Sequence, residues 1–478
     1  MKYSEGFRVI IFLICTGYNV KQMATARELN ALILLADDGG FEMGVYLNKI
    51  SQTPNLDALA KKDRSAILTG MPSHQNGMYG LHQAENHFNS FSNINSLPKI
   101  LQDNGIRTGI IGKKHVGPEE AYPFDYAQTE ENNSILQVGR NITHIRLLAR
   151  EFLNNGTEPF FLYIAFHDPH RCGHTNPEFG EFCQLFGNGD EGMGLIPDWK
   201  PIIYQPDELQ LPYFIPDTWE ARKDNSGHLD DTLIIYTSDN GIPFPNGRTN
   251  FYDSGIAEPM LISSPLHKER EHQVTNSLAS LLDIVPTMLD WYNITYEEDR
   301  LEDNSVERKK IFTGRSLLPL LIAEPADKSK EAIFASHNLH EITMYYPMRM
   351  IRTQRYKLIH NINFYSPFPI DQDFYLSPTF QDILNRTKSH ENLNWFKTLK
   401  QYYDRPEWEL YDIKHDPEEL NNIVKKNSSM EIFQELKKRL NEWQKATNDP
   451  WLCAPHAVFE NKGAYKDSPQ CLDLDNMW

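Results

Sequence analysis

The sequence predicts an α/β protein: a large, mostly parallel sheet flanked by helices, followed by a smaller C-terminal α+β domain with an antiparallel sheet. Three observations predict it. Several short apolar runs stop abruptly at clusters of polar residues, helix-like stretches alternate with those runs, and 478 residues exceed the roughly 250–300 that one hydrophobic core sustains.

The apolar runs come in order. Ala31-Leu-Ile-Leu-Leu-Ala36 meets Asp37-Asp38-Gly39-Gly40, and Thr108-Gly-Ile-Ile-Gly112 meets Lys113-Lys114-His115. Phe160-Phe-Leu-Tyr-Ile-Ala-Phe166 meets His167-Asp168-Pro169-His170, and Thr232-Leu-Ile-Ile-Tyr-Thr-Ser238 meets Asp239-Asn240-Gly241. Runs without polar alternation suit strands buried on both faces. Helical stretches at Asn55 to Lys62 and Leu97 to Asn104 precede the second run, giving a βαβ order. The α/β domain is expected over residues 31–330 and the C-terminal domain over 331–478. In the latter, Glu331 to His337 and Arg349 to His360 read as strands, and Met430 to Ala446 as an amphipathic helix.

Lys2 and Arg8 precede an apolar run from Val9 to Cys15, the pattern of a secretory signal, so residues 1–23 are read as a signal peptide. Six Asn-x-Ser/Thr sequons, beginning at Asn132, Asn141, Asn155, Asn293, Asn385 and Asn427, suit the same route. Outside the signal, Cys172, Cys183, Cys453 and Cys471 remain, with local pairing of the first two and the last two preferred over the other connectivities. The formal charge of −18 argues against a nucleic-acid partner, which needs a basic face, and no stretch argues for stable membrane association.

In a parallel sheet, ligands gather outside the carboxyl ends of the strands, so the four polar clusters are expected at one rim. Asp37, Asp38, Asp239 and Asn240 offer only oxygens, which favour a hard cation such as Ca²⁺ over zinc. Either acidic turn alone reads first as a strand-closing turn; two of them, both acidic and both at strand ends, bring the metal reading level with it, and at this level both readings stand. Lys113, His115, His167, His170 and Arg248 are expected to add cationic donors, a combination that recognises an anionic tetrahedral group.

By these residues the chain resembles the sulfatases. Leu35-Ala-Asp37-Asp38, Thr53-Pro-Asn-Leu-Asp57, Leu68-Thr-Gly70, Gly112-Lys-Lys-His115, Ser238-Asp239-Asn240-Gly241 and Trp408-Glu-Leu-Tyr are similar to successive sulfatase landmarks. Finer stretches resemble the sulfamidase (N-sulfoglucosamine sulfohydrolase) type, among them His74-Gln-Asn-Gly-Met-Tyr-Gly-Leu-His82, Ala165-Phe-His-Asp-Pro-His170, Pro369-Ile-Asp-Gln-Asp-Phe374 and Asn448-Asp-Pro-Trp-Leu-Cys453. The resemblance implies an alkaline-phosphatase/sulfatase-like fold and one calcium ion on Asp37, Asp38, Asp239 and Asn240. It also implies catalytic or sulfate-binding roles for Arg64, Lys113, His115, His170 and Arg248. The implied reaction is removal of the N-sulfate from terminal glucosamine of a heparan sulfate-derived oligosaccharide, in the lysosome, by an enzyme that is commonly a homodimer.

The chain departs from the family where the nucleophile should stand. Sulfatases make formylglycine from the cysteine of Cys-x-Pro-Ser-Arg, whereas here Lys61-Lys62-Asp63 leads directly to Arg64-Ser-Ala-Ile-Leu-Thr-Gly70. Arg64 matches the motif's arginine, and the cysteine before it is absent. A second shortening lies between Asp224 and Asp231. The literal chain is therefore expected to be inactive, with a non-catalytic glycan-binding protein and a phosphatase or phosphodiesterase of the same superfamily as the competing readings.

Overall fold

The computed structural model describes residues 29–38, 64–82, 86–131, 138–170, 231–241, 247–270, 273–295, 300–303, 306–309, 312–329, 331–393, 395 and 397–474. The signal segment, the helix expected at Asn55 to Lys62 and the Cys172–Cys183 pair lie outside these residues.

Six strands make the main sheet. They are β1 (Asn30–Asp37), β2 (Arg107–Gly112), β3 (Tyr126–Thr129), β4 (Phe160–Pro169), β5 (Thr232–Ser238) and β6 (Met260–Ser263), in the order β3-β2-β4-β1-β5-β6. All neighbours run parallel except β6, which is antiparallel to β5. The pleat alternates its side chains between two cores. Ile33, Leu35, Phe161 and Tyr163 face one side, where they meet Ile67 and Leu68 of α1 (Arg64–Thr69) and Leu97 and Leu101 of α3 (Leu97–Asp103). Between those two helices lies the short α2 (Ser73–Asn76). Phe160, Leu162 and Ile164 face the other side, against Ile145, Leu148 and Phe152 of α4 (Ile142–Asn154).

That double coverage is why the runs lack polar alternation. Helix α5 (Ile284–Trp291) closes the first face with Ile284, Val285 and Met288, and the Trp291 indole N–H donates to the Asn30 carbonyl at 2.9 Å.

Because β1, β2, β4 and β5 are parallel, their carboxyl ends share one edge, where Asp37, Lys113, His170 and Asp239 emerge. Two local features turn the chain there. The β1–β4 register slips between Leu35 and Asp37. Gly112 takes φ +99°, and a Cβ there would lie 2.0 Å from the Ala165 carbonyl oxygen, so only glycine lets β2 turn into Lys113.

After the hairpin pair β7 (Arg300–Asp303) and β8 (Val306–Lys309), the chain forms an antiparallel sheet in the order β12-β11-β10-β9. Its strands are β9 (Ala332–Leu339), β10 (Tyr345–Thr353), β11 (Tyr356–Asn361) and β12 (Trp408–Asp412). The single stretch read as strand from Arg349 to His360 is thus two strands of a hairpin, broken at Gln354-Arg355. Helix α6 (Met430–Ala446) matches its sequence reading and packs Leu436, Leu440 and Trp443 on Ile351, Leu358 and Leu410. Cys453 and Cys471 form the preferred disulfide, beside the small pair β13 (Ala457–Glu460) and β14 (Gln470–Asp473).

The two parts are tied together through α2. Ser73 Oγ lies 3.4 Å from Ser336 Oγ of β9, and Asn338 Nδ2 donates to Ser73 Oγ at 3.1 Å. His74 Nε2 meets Thr447 Oγ1 at 2.7 Å beyond the end of α6.

Candidate active site

Nine of the ten residues singled out from sequence line one cleft of about 630 Å³, bounded on its far side by β9 and by His340; His167 is the exception. The acidic groups converge from two strand ends. Asp37 ends β1, Asp38 follows it in a left-handed conformation (φ 60°), and Asp239 follows β5. The Asp38 backbone N–H donates to Asp239 Oδ1 at 3.0 Å, locking the two turns together. One carboxylate oxygen from each of Asp37, Asp38 and Asp239 lies within 4.8 Å of the other two. Asn240 Nδ2 donates to Asp38 Oδ1, so the fourth oxygen-ligand candidate adjoins the trio.

Cations clasp these carboxylates. Arg64 bridges Asp37 Oδ1 and Asp239 Oδ2, each at 3.1 Å, while Lys113 Nζ donates to Asp37 Oδ2. Arg248 Nη1 reaches Asp38 Oδ2 at 2.9 Å, and its Nη2 reaches Asp371 Oδ2 at 2.8 Å. The consequence is asymmetric. Burial alone would raise Asp37, but Arg64 and Lys113 outweigh it and hold the carboxyl well below its ordinary range. Asp239 is pushed well above that range by burial and by the neighbouring Asp37 charge. A carboxyl that is reluctant to ionise, Asp239, beside one held in its ionised form, Asp37, is the signature of a site short of positive charge. A divalent ion against this all-oxygen trio would supply it, and oxygen donors suit calcium. The residues present therefore fit the ion.

The histidines depart from expectation. His115, His167 and His170 were expected as cationic donors, yet each is held below its ordinary value, first by burial and then by the nearby Lys113 charge. Burial thus disfavours the cationic form of each imidazole, and the side-chain cations that clasp the carboxylates are Arg64, Lys113 and Arg248. His167 lies behind His170, its Nδ1 2.7 Å from Glu130 Oε1, and does not line the cleft.

Three participants were not singled out from sequence. Glu130 follows β3, a strand of four residues too short to read as an apolar run; burial pushes its carboxyl up to about 7. Asp371 holds the far side of Arg248 and also meets His340 Nε2 at 3.3 Å. Burial would raise the Asp371 carboxyl, but His340 and Arg248 hold it well below the usual range. Asp371 stood inside one of the family-like stretches, which was the available signal. His340 had none.

Comparison with known proteins agrees with this geometry. The sulfatase family profile matches residues 61–194 and 222–294, and the profile described as N-sulphoglucosamine sulphohydrolase, C-terminal, matches residues 373–446. The N-sulphoglucosamine sulphohydrolase of Homo sapiens is 50% identical over 502 aligned positions, covering 97% of this chain and 98% of the relative. The chain belongs to the sulfatase family.

As a sulfatase-family hydrolase it also resembles an ulvan-active sulfatase of Formosa agariphila, 25% identical with 90% of this chain and 82% of the relative covered. A solved structure in complex with its substrate D-glucosamine-2-N,6-O-disulfate superposes with a TM-score of 0.56 at 22% identity, covering 88% of this chain and 98% of that one, and so shares the fold. The human alignment runs over 502 positions, more than the 478 residues of this sulfatase, so the relative has stretches with no counterpart here. Cys-x-Pro-Ser-Arg occurs nowhere in the chain.

Proposed function

We propose that this cleft binds the N-sulfated terminal glucosamine of a heparan sulfate-derived oligosaccharide, with the sulfate against one calcium ion on Asp37, Asp38, Asp239 and Asn240. The observation that carries the reading is the acidic trio within 4.8 Å, ringed by three cations in a single cleft. Calcium, when bound, polarises sulfate oxygens and offsets their charge.

The chain's own groups do the rest. Lys113 and Arg248 face the cleft as permanent donors, and Arg248 is oriented by Asp371 so that its guanidinium does not swing away. His115 and His170 both line the cleft and each offers a ring N–H to a sulfate or sulfamate oxygen. Arg64 fixes the separation of Asp37 from Asp239.

Hydrolysis needs the formylglycine nucleophile, and the residue that would carry it is not in the sequence, so no covalent step is assigned to this chain. That observation favours a second reading, in which the chain binds the glycan without turning it over. A form that includes the missing segment hydrolyses the sulfamate; sequencing the locus and its transcript across positions 62–64 tests for such a segment. The lysosome is the compartment this substrate implies, and no helix among the described residues is long and apolar enough to cross a membrane. Titrating the purified chain with N-sulfoglucosamine in the presence and absence of calcium tests the binding. Calcium-dependent association supports it, and indifference to calcium refutes it.

A further inference from the structure

A second cluster adjoins the acidic trio and has a different donor chemistry. One ligand atom from each of Asp37, His167 and His170 lies within 4.8 Å of the other two. Both imidazoles come from the end of β4, with ring centroids 5.2 Å apart and planes at 70°. Their positions are set from behind. His167 Nδ1 is 2.7 Å from the Glu130 carboxylate, and the His167 backbone N–H donates to the Gly139 carbonyl at 3.0 Å. The His170 carbonyl accepts from Arg140 Nη2 at 2.7 Å. A carboxylate behind a ligating histidine is the usual outer-shell arrangement of metal sites, because it orients the ring and raises its basicity.

We propose that Asp37, His167 and His170 form a second cation site, of the imidazole-and-carboxylate kind that takes zinc or another late first-row divalent ion, sharing Asp37 with the oxygen site. Two nitrogens and one carboxylate are a three-ligand zinc set that leaves a fourth position for water or an incoming oxygen. The same set is a poor match for calcium, which prefers six to eight oxygens. Asp37 and His170 both line the cleft, so an ion has a path in. Lys113 stands in the way, since its ammonium bonds Asp37 Oδ2. A doubly charged ion displaces it by stronger attraction to the same carboxylate, and Lys113 lines the cleft into which it would turn. On the functional reading above, an ion here inhibits, because it withdraws Asp37, Lys113 and His170 together from the sulfate-binding face.

Cobalt(II) is the probe, since four-coordinate cobalt with nitrogen ligands absorbs strongly in the visible while six-coordinate cobalt on oxygens absorbs weakly. Titration of the full chain gives strong visible bands that saturate at one ion per chain and vanish on adding zinc. His170→Ala and the milder His170→Gln weaken this binding at least about tenfold, as loss of a direct ligand requires, while Asp38→Asn, which removes a ligand of the oxygen site and none of the second site, leaves the bands in place. Terbium luminescence, reporting the oxygen site, behaves in the opposite way: it survives both His170 variants and is lost in Asp38→Asn. Absence of strong cobalt bands in the wild-type chain overturns the second site. So does a result in which Asp38→Asn erases the bands and the His170 variants keep them, because cobalt then sits in the oxygen trio. Terbium failing to bind while the cobalt pattern holds removes the calcium reading and leaves the second site standing.

Discussion

Asp239 is the residue on which the cation reading turns. Its carboxyl is raised by burial and by Asp37, and Arg64 alone does not satisfy it. Asp239→Asn removes one of three anionic ligands and is expected to weaken calcium binding by roughly 100-fold. Calorimetric titration checks this, and an unchanged affinity would place the ion elsewhere.

His74 gives a prediction of a different kind. Thr447 spends its hydroxyl proton on the Trp443 carbonyl at 2.8 Å, so His74 Nε2 must donate to Thr447 and Nδ1 is the unprotonated nitrogen, with no hydrogen-bond partner. Protonating Nδ1 would bury a charge without an acceptor, and burial accordingly pushes His74 down to about 3 from 6.5. The folded pKa is depressed, so the stability that His74 contributes is complete above about 6.5 and is lost progressively as pH falls toward 3. At pH 5 the loss relative to pH 7 is about 2 kcal/mol. His74→Gln, which keeps a donor for Thr447, should flatten that part of the pH–stability curve measured by denaturant unfolding. An unaltered acid slope would mean that His74 is not its source.

At the scale of elements, α6 is held by a few deeply buried side chains and by one ion pair. Leu440 is 1% exposed against the antiparallel sheet, and Leu440→Ala is expected to destabilise by about 2–5 kcal/mol. Arg349 of β10 and Asp449 beyond α6 are both 0% exposed and joined at 2.6 and 2.8 Å. Asp449→Ala leaves the guanidinium buried and uncompensated, a loss of about 3–5 kcal/mol that urea denaturation would register.

These elements were unequally legible in the sequence. β1, β2, β4 and β5 announced themselves because burial on both faces removes polar alternation. β3 and β6, four residues each, were too short to stand out. The Gln354-Arg355 turn carries neither glycine nor proline, so the hairpin read as one strand. Residues immediately after a long strand were found, whereas His340 of the cleft wall and Glu130 behind His167 needed the tertiary arrangement. The charge state of the histidines was also not legible, because it depends on burial beside Lys113 rather than on residue type.

For the whole molecule, the carboxylate trio, its three cations and the β9 wall stand together in a chain that lacks the cysteine of its family. Assembly of the site and possession of the nucleophile are thus separate properties here, and they can be measured apart. The direct measurement is to incubate the purified full chain with calcium and N-sulfoglucosamine and to follow ligand binding and free sulfate in the same sample. Calcium-dependent binding with no sulfate released beyond the protein-free control is the expected result. Release of many equivalents of sulfate per chain would contradict it, as would failure to bind the ligand when calcium is present.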